Sequence, residues 1–220
     1  MDHLLAVRQQ TLRGIIGVDA VAAALDGRID PALYAAYLAN VFHYAQHSAA
    51  VIGLAGGRCT RKHPDLARYL LRHAEEELGH EQWALDDLAV LGVSAEKVRS
   101  SRPVPACAAM IGYEYYIAGH ANPIGLFGWL YTLEAMGDDL GGRIAQAVGA
   151  QLGGADMQGV KFLSGHGIAD HEHTAELTRV ISKLVTDPAD RAEIDHVADV
   201  VGDLYVRMFH QIAATRSSWR

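Results

Sequence analysis

Cysteine is nearly absent from the chain: Cys59 and Cys107 are the two in 220 residues, and they lack metal-ligand spacing. That excludes a disulfide framework and a zinc ribbon, and makes a reducing cytoplasm the expected setting. Positive charge is also scarce, with a formal net charge of −7 and the densest basic cluster limited to Arg58, Arg61 and Lys62. Without a basic stripe or a recognised motif, nucleic acid is not an expected partner. Long hydrophobic runs are missing too. The run from Pro123 to Leu133 is far shorter than the roughly 20 residues needed to span a bilayer, so a soluble protein with no membrane partner is expected. Asp2, Arg8 and Arg13 break up the N-terminal apolar residues and deny them the core of a signal peptide. No glycine-rich phosphate loop and no long repeat is evident.

Proline is sparse as well, and its six copies mostly separate periodic segments. That pattern predicts an all-α chain folded as one domain over residues 1–220. The segments are Leu4 to Leu25, Pro31 to about Gly57, Pro64 to Leu91, Ala106 to His120, a fifth after Pro123, about Ala155 to Val185, and Pro188 to Thr215. A short turn capped by Ser94 lies between the third and the fourth. Asp30-Pro31 and Asp187-Pro188 are capping residues followed by proline at the first helical position.

Several of these apolar stripes are interrupted by groups that are costly to bury without partners. Helical spacing places His166, Asp170 and His173 on one face with Leu163, Leu177, Ile181 and Leu184. The third segment places His73, Glu77 and His80 between Leu70 and Ala84, and the fifth places Glu134 among leucine, tyrosine and methionine. Glu75, Glu76 and Glu81 fall on other faces and read as a solvated acidic surface. Mixed carboxylate and imidazole donors without thiolate suit iron or manganese better than structural zinc. The predicted ligands of a two-ion site are Glu77, His80, Glu134, His166, Asp170 and His173. His73 is a further candidate that binds metal, orients Glu77 or contacts substrate. A ferritin-like bundle fits poorly, because the segment from Pro31 to Gly57 has no acid to act as its first glutamate.

At these residues the chain resembles the heme-oxygenase-like diiron oxidases and oxygenases, in a superfamily that also includes the TenA thiaminases and the PQQ-synthesis oxidase. That family carries a carboxylate and histidine on one helix, a lone glutamate on a later one, and then His-x-x-x-Asp-x-x-His. Glu77, His80, Glu134, His166, Asp170 and His173 match in order. In some members the first carboxylate lies seven residues before the histidine, where this chain has His73. The resemblance implies a seven-helix heme-oxygenase-like bundle, two Fe(II) ions rather than heme, dioxygen as co-substrate and an external electron donor. It also implies a small-molecule substrate, either oxidised at an amine nitrogen or cleaved oxidatively at a carbon–carbon bond, as in fatty acids and amino acids. A metal-independent TenA-like enzyme and a non-catalytic iron-binding protein are the other readings. A homodimer is expected. Tyr34, His43, Tyr44, His47, Tyr113, Glu114 and Tyr116 are the candidate substrate-binding residues, and as a polar, aromatic set they favour N-oxygenation of a compact amine.

Overall fold

A computed structural model of the chain describes residues 1–152 and 158–219, and of residues 167–170 the backbone only. The described residues are helical, without strands, as the periodicity predicts. The helices are α1 (Asp2–Ile16), α2 (Asp19–Leu25), α3 (Pro31–Cys59), α4 (Pro64–Glu76), α5 (His80–Val90), α6 (Ala95–Ser100), α7 (Pro105–Gly119), α8 (Leu126–Met136), α9 (Gly142–Leu152), α10 (Lys161–Leu184) and α11 (Pro188–Thr215). None is long and apolar enough to cross a membrane.

The bundle is built around α3. Its N-terminal half is buried on almost every side, from Ala32 through Ala45, the pattern of a helix enclosed by others. Ala35, Ala36 and Ala39 are buried along it, and α4, α5, α7 and α11 pack against α3. Asp30 starts the helix by accepting the Ala32 N–H at 3.0 Å, with Pro31 behind it. At the other end α3 and α4 run antiparallel, so that Gly53 faces Ala74 and Gly56 faces Leu70 and Leu71. Arg58 of the basic cluster donates to the Ala118 and Ala121 carbonyls at 2.8 and 3.0 Å, closing the end of α7.

Three of the expected long segments are interrupted. Leu4 to Leu25 divides at Gly17-Val18, where Val18 turns extended and buries its side chain. Pro64 to Leu91 divides after Glu77, because Gly79 adopts a left-handed φ of 88° that only glycine takes at little cost. The fifth segment carries a five-residue π-helical turn at Gly137–Gly141 between α8 and α9, a local widening often found beside functional sites. The helix expected from Ala155 starts at Lys161, and Leu184 at its far end is 40 % exposed rather than in the core.

Candidate metal centre and cavity

The start of α10 is fixed by a side chain from another helix. Asp87 on α5 is buried and accepts the backbone N–H groups of Lys161 and Phe162, each at 2.8 Å. It thus satisfies two of the donors that a helix N-terminus leaves open. Burial pushes the Asp87 carboxyl above its usual range, only partly offset by these two bonds. Gly165 adds to the fit of α10 on α5, since a Cβ there would lie 2.8 Å from the Trp83 ring. The ring of His80 stacks on Trp83 and meets His166 edge-on, with centroids 4.1 and 4.8 Å apart.

Among the described residues three groups of ligand atoms lie within 4.8 Å of one another: an inner pair, Glu77 with His80 and His166 and then His73 with Glu77 and Glu134, and an outer group of His73, Glu76 and His173. Glu77 belongs to both inner groups. His173 completes the second group, with Nδ1 3.4 Å from Glu134 Oε2. His73 Nε2 lies 3.1 Å from Glu134 Oε1, and His80 Nδ1 lies 3.2 Å from Glu77 Oε1. Neither of these two buried imidazole nitrogens makes a geometrically acceptable hydrogen bond. Lone pairs facing a common point, rather than donors aligned with acceptors, are what a metal centre requires. The nitrogen and oxygen donor set fits iron.

Protonation fits as well. His166 Nδ1 is 3.0 Å from the Phe162 carbonyl, so the ring donates there and leaves Nε2 as its lone-pair nitrogen. Burial holds His166 below the usual histidine range, in its neutral form. Burial alone would raise Glu77, but His80 and the nearby imidazoles of His166 and His73 outweigh it and hold the carboxyl below its usual value. His173 is the exception: the close Glu134 carboxylate raises it against the opposing effect of burial, and an ion would take the place of that proton. Asp170 lies outside the residues whose side chains are described. Glu76, expected on a solvated surface, is 41 % exposed yet reaches His73 and His173. Its spacing of three residues from His73 was the available signal, because that step returns to a neighbouring helical position.

The inner ligands open into a cavity of about 130 Å³ whose wall includes His73, Glu77, Glu134 and His166. Away from them it is lined mainly by apolar groups such as Leu33, Leu130, Ile144, Val148 and Phe209. It follows α3 from Ser48 to Tyr34, about 21 Å at the helical rise. Its far end is framed by Asp30, paired with Arg216 at 2.9 Å, and by Ile29, whose backbone exchanges two hydrogen bonds with the Gln151 amide at 2.9 and 3.0 Å.

Of the candidate substrate-binding residues, Tyr34 and Tyr44 reach this cavity. Their hydroxyls are engaged: Tyr34 donates to the Gly159 carbonyl at 2.8 Å, and Tyr44 bonds Tyr205. His43, His47, Tyr113, Glu114 and Tyr116 do not line it. His43 contacts Ser101 at 2.9 Å, and His47 contacts Tyr115 at 3.2 Å. Glu114 is buried beside Trp129, and Tyr116 is 55 % exposed. On α7 Tyr115 and Tyr116 are turned toward solvent, while Tyr113 is partly buried with its hydroxyl enclosed away from the cavity, distinctions that amino-acid type alone does not reveal.

The family described as iron-containing redox enzymes matches residues 35–201. A domain of unknown function from Shewanella denitrificans OS217 with a heme oxygenase-like fold superposes with a TM-score of 0.84 at 26 % identity, covering 94 % of this chain and 89 % of that one. A TenA homolog from Pseudomonas syringae pv. tomato DC3000 gives 0.81 at 15 % identity, covering 96 % and 91 %. A TenA homologue from P. horikoshii OT3 gives 0.75 at 12 %, covering 97 % of each chain. The last two likenesses establish the fold alone. No curated protein matches the chain.

Proposed function

Because the chain belongs to the family of iron-containing redox enzymes, we propose that it uses two ferrous ions, dioxygen and an external reductant to oxidise an elongated apolar molecule with one polar end. The ions would be held by Glu77, His80 and His166 on one side and by His73, Glu134 and His173 on the other, with Glu77 shared. Bound iron supplies the electrons that start the reduction of dioxygen.

The observation that carries the substrate class is the wall of the cavity. Its tyrosine hydroxyls at Tyr34 and Tyr44 are already satisfied within the protein, so the surface offered to a ligand away from the ligand cluster is mainly apolar. A compact polar amine would leave its own donors unpaired along that wall. An alkyl or similar chain would lie along α3 with its polar end near Ser48, toward the ions that Glu77 and Glu134 would hold. Glu77 and Glu134 bring two negative charges against four on a pair of ferrous ions, and a third from Asp170 would leave the surplus in place. An anionic head group is therefore favoured.

This reading favours oxidative carbon–carbon cleavage of an apolar carboxylic acid over N-oxygenation of a compact amine. In its simplest form, R–CH2–CH2–COOH, dioxygen, two electrons and two protons give R–CH=CH2, carbon dioxide and two molecules of water. The protein's own contribution is positional. Phe162 and Leu163 put apolar surface beside the ligand cluster, the Phe162 carbonyl fixes the His166 ring, and the nearby imidazoles favour the ionised form of Glu77.

The test is turnover by iron-loaded protein with reductant and oxygen, using separate panels of medium- and long-chain acids, alkyl amines and compact aromatic amines, analysed by mass spectrometry. Loss of carbon dioxide from chain acids supports the reading. Oxygen gained only on the nitrogen of compact amines would reverse it.

A further inference from the structure

His73 and His173 stand in the same relation to two carboxylates. Each turns one nitrogen inward to Glu134: Nε2 of His73 at 3.1 Å from Oε1, and Nδ1 of His173 at 3.4 Å from Oε2. Each turns its other nitrogen outward to a single atom, Oε2 of Glu76, at 3.5 Å from His73 Nδ1 and 3.7 Å from His173 Nε2. The rings meet edge-on with centroids 5.0 Å apart, so one oxygen reaches both. The opposite oxygen of Glu76 faces Arg72 Nε at 3.5 Å, and Arg72 is gripped by both oxygens of Glu176, each at 2.7 Å. The series Glu176, Arg72, Glu76 thereby ties α4 to α10 behind the two imidazoles.

We propose that Glu76 is the positioning carboxylate of this centre, accepting the outward N–H of both His73 and His173 and so aiming their lone pairs at the ion beside Glu134. The inference rests on the metal reading above and adds a residue to it. An imidazole that gives one nitrogen to a metal carries its proton on the other, and that N–H needs an acceptor which fixes the tautomer and raises ligand basicity. A neutral ring has no other way to present the inward nitrogen as a lone pair. Glu76 offers that acceptor to both rings with one atom, at 3.5 and 3.7 Å.

His73, Glu76 and His173 also lie close enough to form a ligand group by themselves. Two features argue against Glu76 as a ligand. The inward nitrogens already face Glu134, which is buried, as is His73. Glu76 is 41 % exposed and has its second oxygen turned to Arg72, where a guanidinium competes with any cation for it.

Titration of the full chain with cobalt(II), followed by visible absorption, separates these roles in wild type, Glu76→Gln and Glu76→Ala, with circular dichroism and melting temperature as controls on folding. Both variants should keep the wild-type number of ions, band positions and melting temperature, with binding at one ion weakened about 10- to 100-fold, the usual cost of losing such a partner. An unchanged affinity in both variants would overturn the proposal and return Glu76 to the solvated surface. Bands that shift with a lost donor would overturn it in favour of direct ligation. Wild-type protein that binds no cobalt and no iron would instead overturn the metal reading itself, and this inference with it.

Discussion

Asp87 Oδ2 accepts the backbone N–H of Phe162 at 2.8 Å, while its other oxygen takes that of Lys161. One buried carboxylate on the helix of His80 thus sets where the helix of His166 begins. Asp87→Ala would leave both N–H groups without that acceptor, and the expected loss is about 2 kcal/mol of stability. Urea denaturation measures it. Anaerobic iron binding by the still-folded variant should also weaken, because His80 and His166 would no longer be held in register.

The shared position of Glu77 predicts an unequal set of effects among ligand substitutions. His166→Ala and His80→Ala should each lower iron uptake from two ions to about one per chain, since the second group of ligands remains intact. Glu77→Ala should disturb both ions. Elemental analysis after anaerobic loading checks the order, and equal losses from all three variants would argue against a shared carboxylate.

The ends of the helices were legible where a local signal marks them. Asp30-Pro31 and Asp187-Pro188 both act as read, the second through a 2.8 Å bond from Ala189 N to Asp187. The interruptions at Gly17-Val18, at Gly79 and in the π turn after Met136 were not legible, because an apolar stripe runs across a short break almost in phase. Ligand types on a core face pointed to Glu77, His80, Glu134, His166 and His173, which the fold does bring together. Asp87 was not singled out, and Glu76 was read as solvated surface despite its three-residue step from His73. The contact of Asp87 with the start of α10 and that of Glu76 with His173 depend on how α10 packs against α5 and α4, which no spacing within one helix encodes. The tyrosines of α7 misled in the opposite direction, since a polar aromatic cluster looks the same in sequence whether it lines a cavity, packs elsewhere on the core as Tyr113 does, or faces water as Tyr116 does.

Ile144 lies on the cavity wall toward the Val148 end. Ile144→Trp should fill that end and shift the preferred chain length downward by several carbons while leaving iron content unchanged. Competition among acids of graded length, read by mass spectrometry, tests this. An unchanged length profile would mean that the apolar chain does not lie along α3.

Glu114 is buried without a geometrically acceptable hydrogen bond to either oxygen, and burial raises its carboxyl well above the usual range despite the neighbouring Trp129. Its folded state therefore favours the protonated form. The contribution of Glu114 to stability should be fully present below the unfolded-state pKa of about 4.3 and fall by about 1.4 kcal/mol per pH unit above it, until the folded-state pKa is reached. Glu114→Gln removes that dependence. Its stability relative to wild type should thus rise with pH from 4 toward neutrality, as measured by denaturant midpoints. Parallel profiles would show that Glu114 ionises equally in both states.

The most direct test of the metal centre is anomalous diffraction at the iron edge from crystals loaded and kept without oxygen. Two peaks are predicted, one among Glu77, His80 and His166 and one among His73, Glu134 and His173, with Glu77 touching both. Density with no iron peak at full loading, and with these side chains hydrogen-bonded only to one another, would contradict the account.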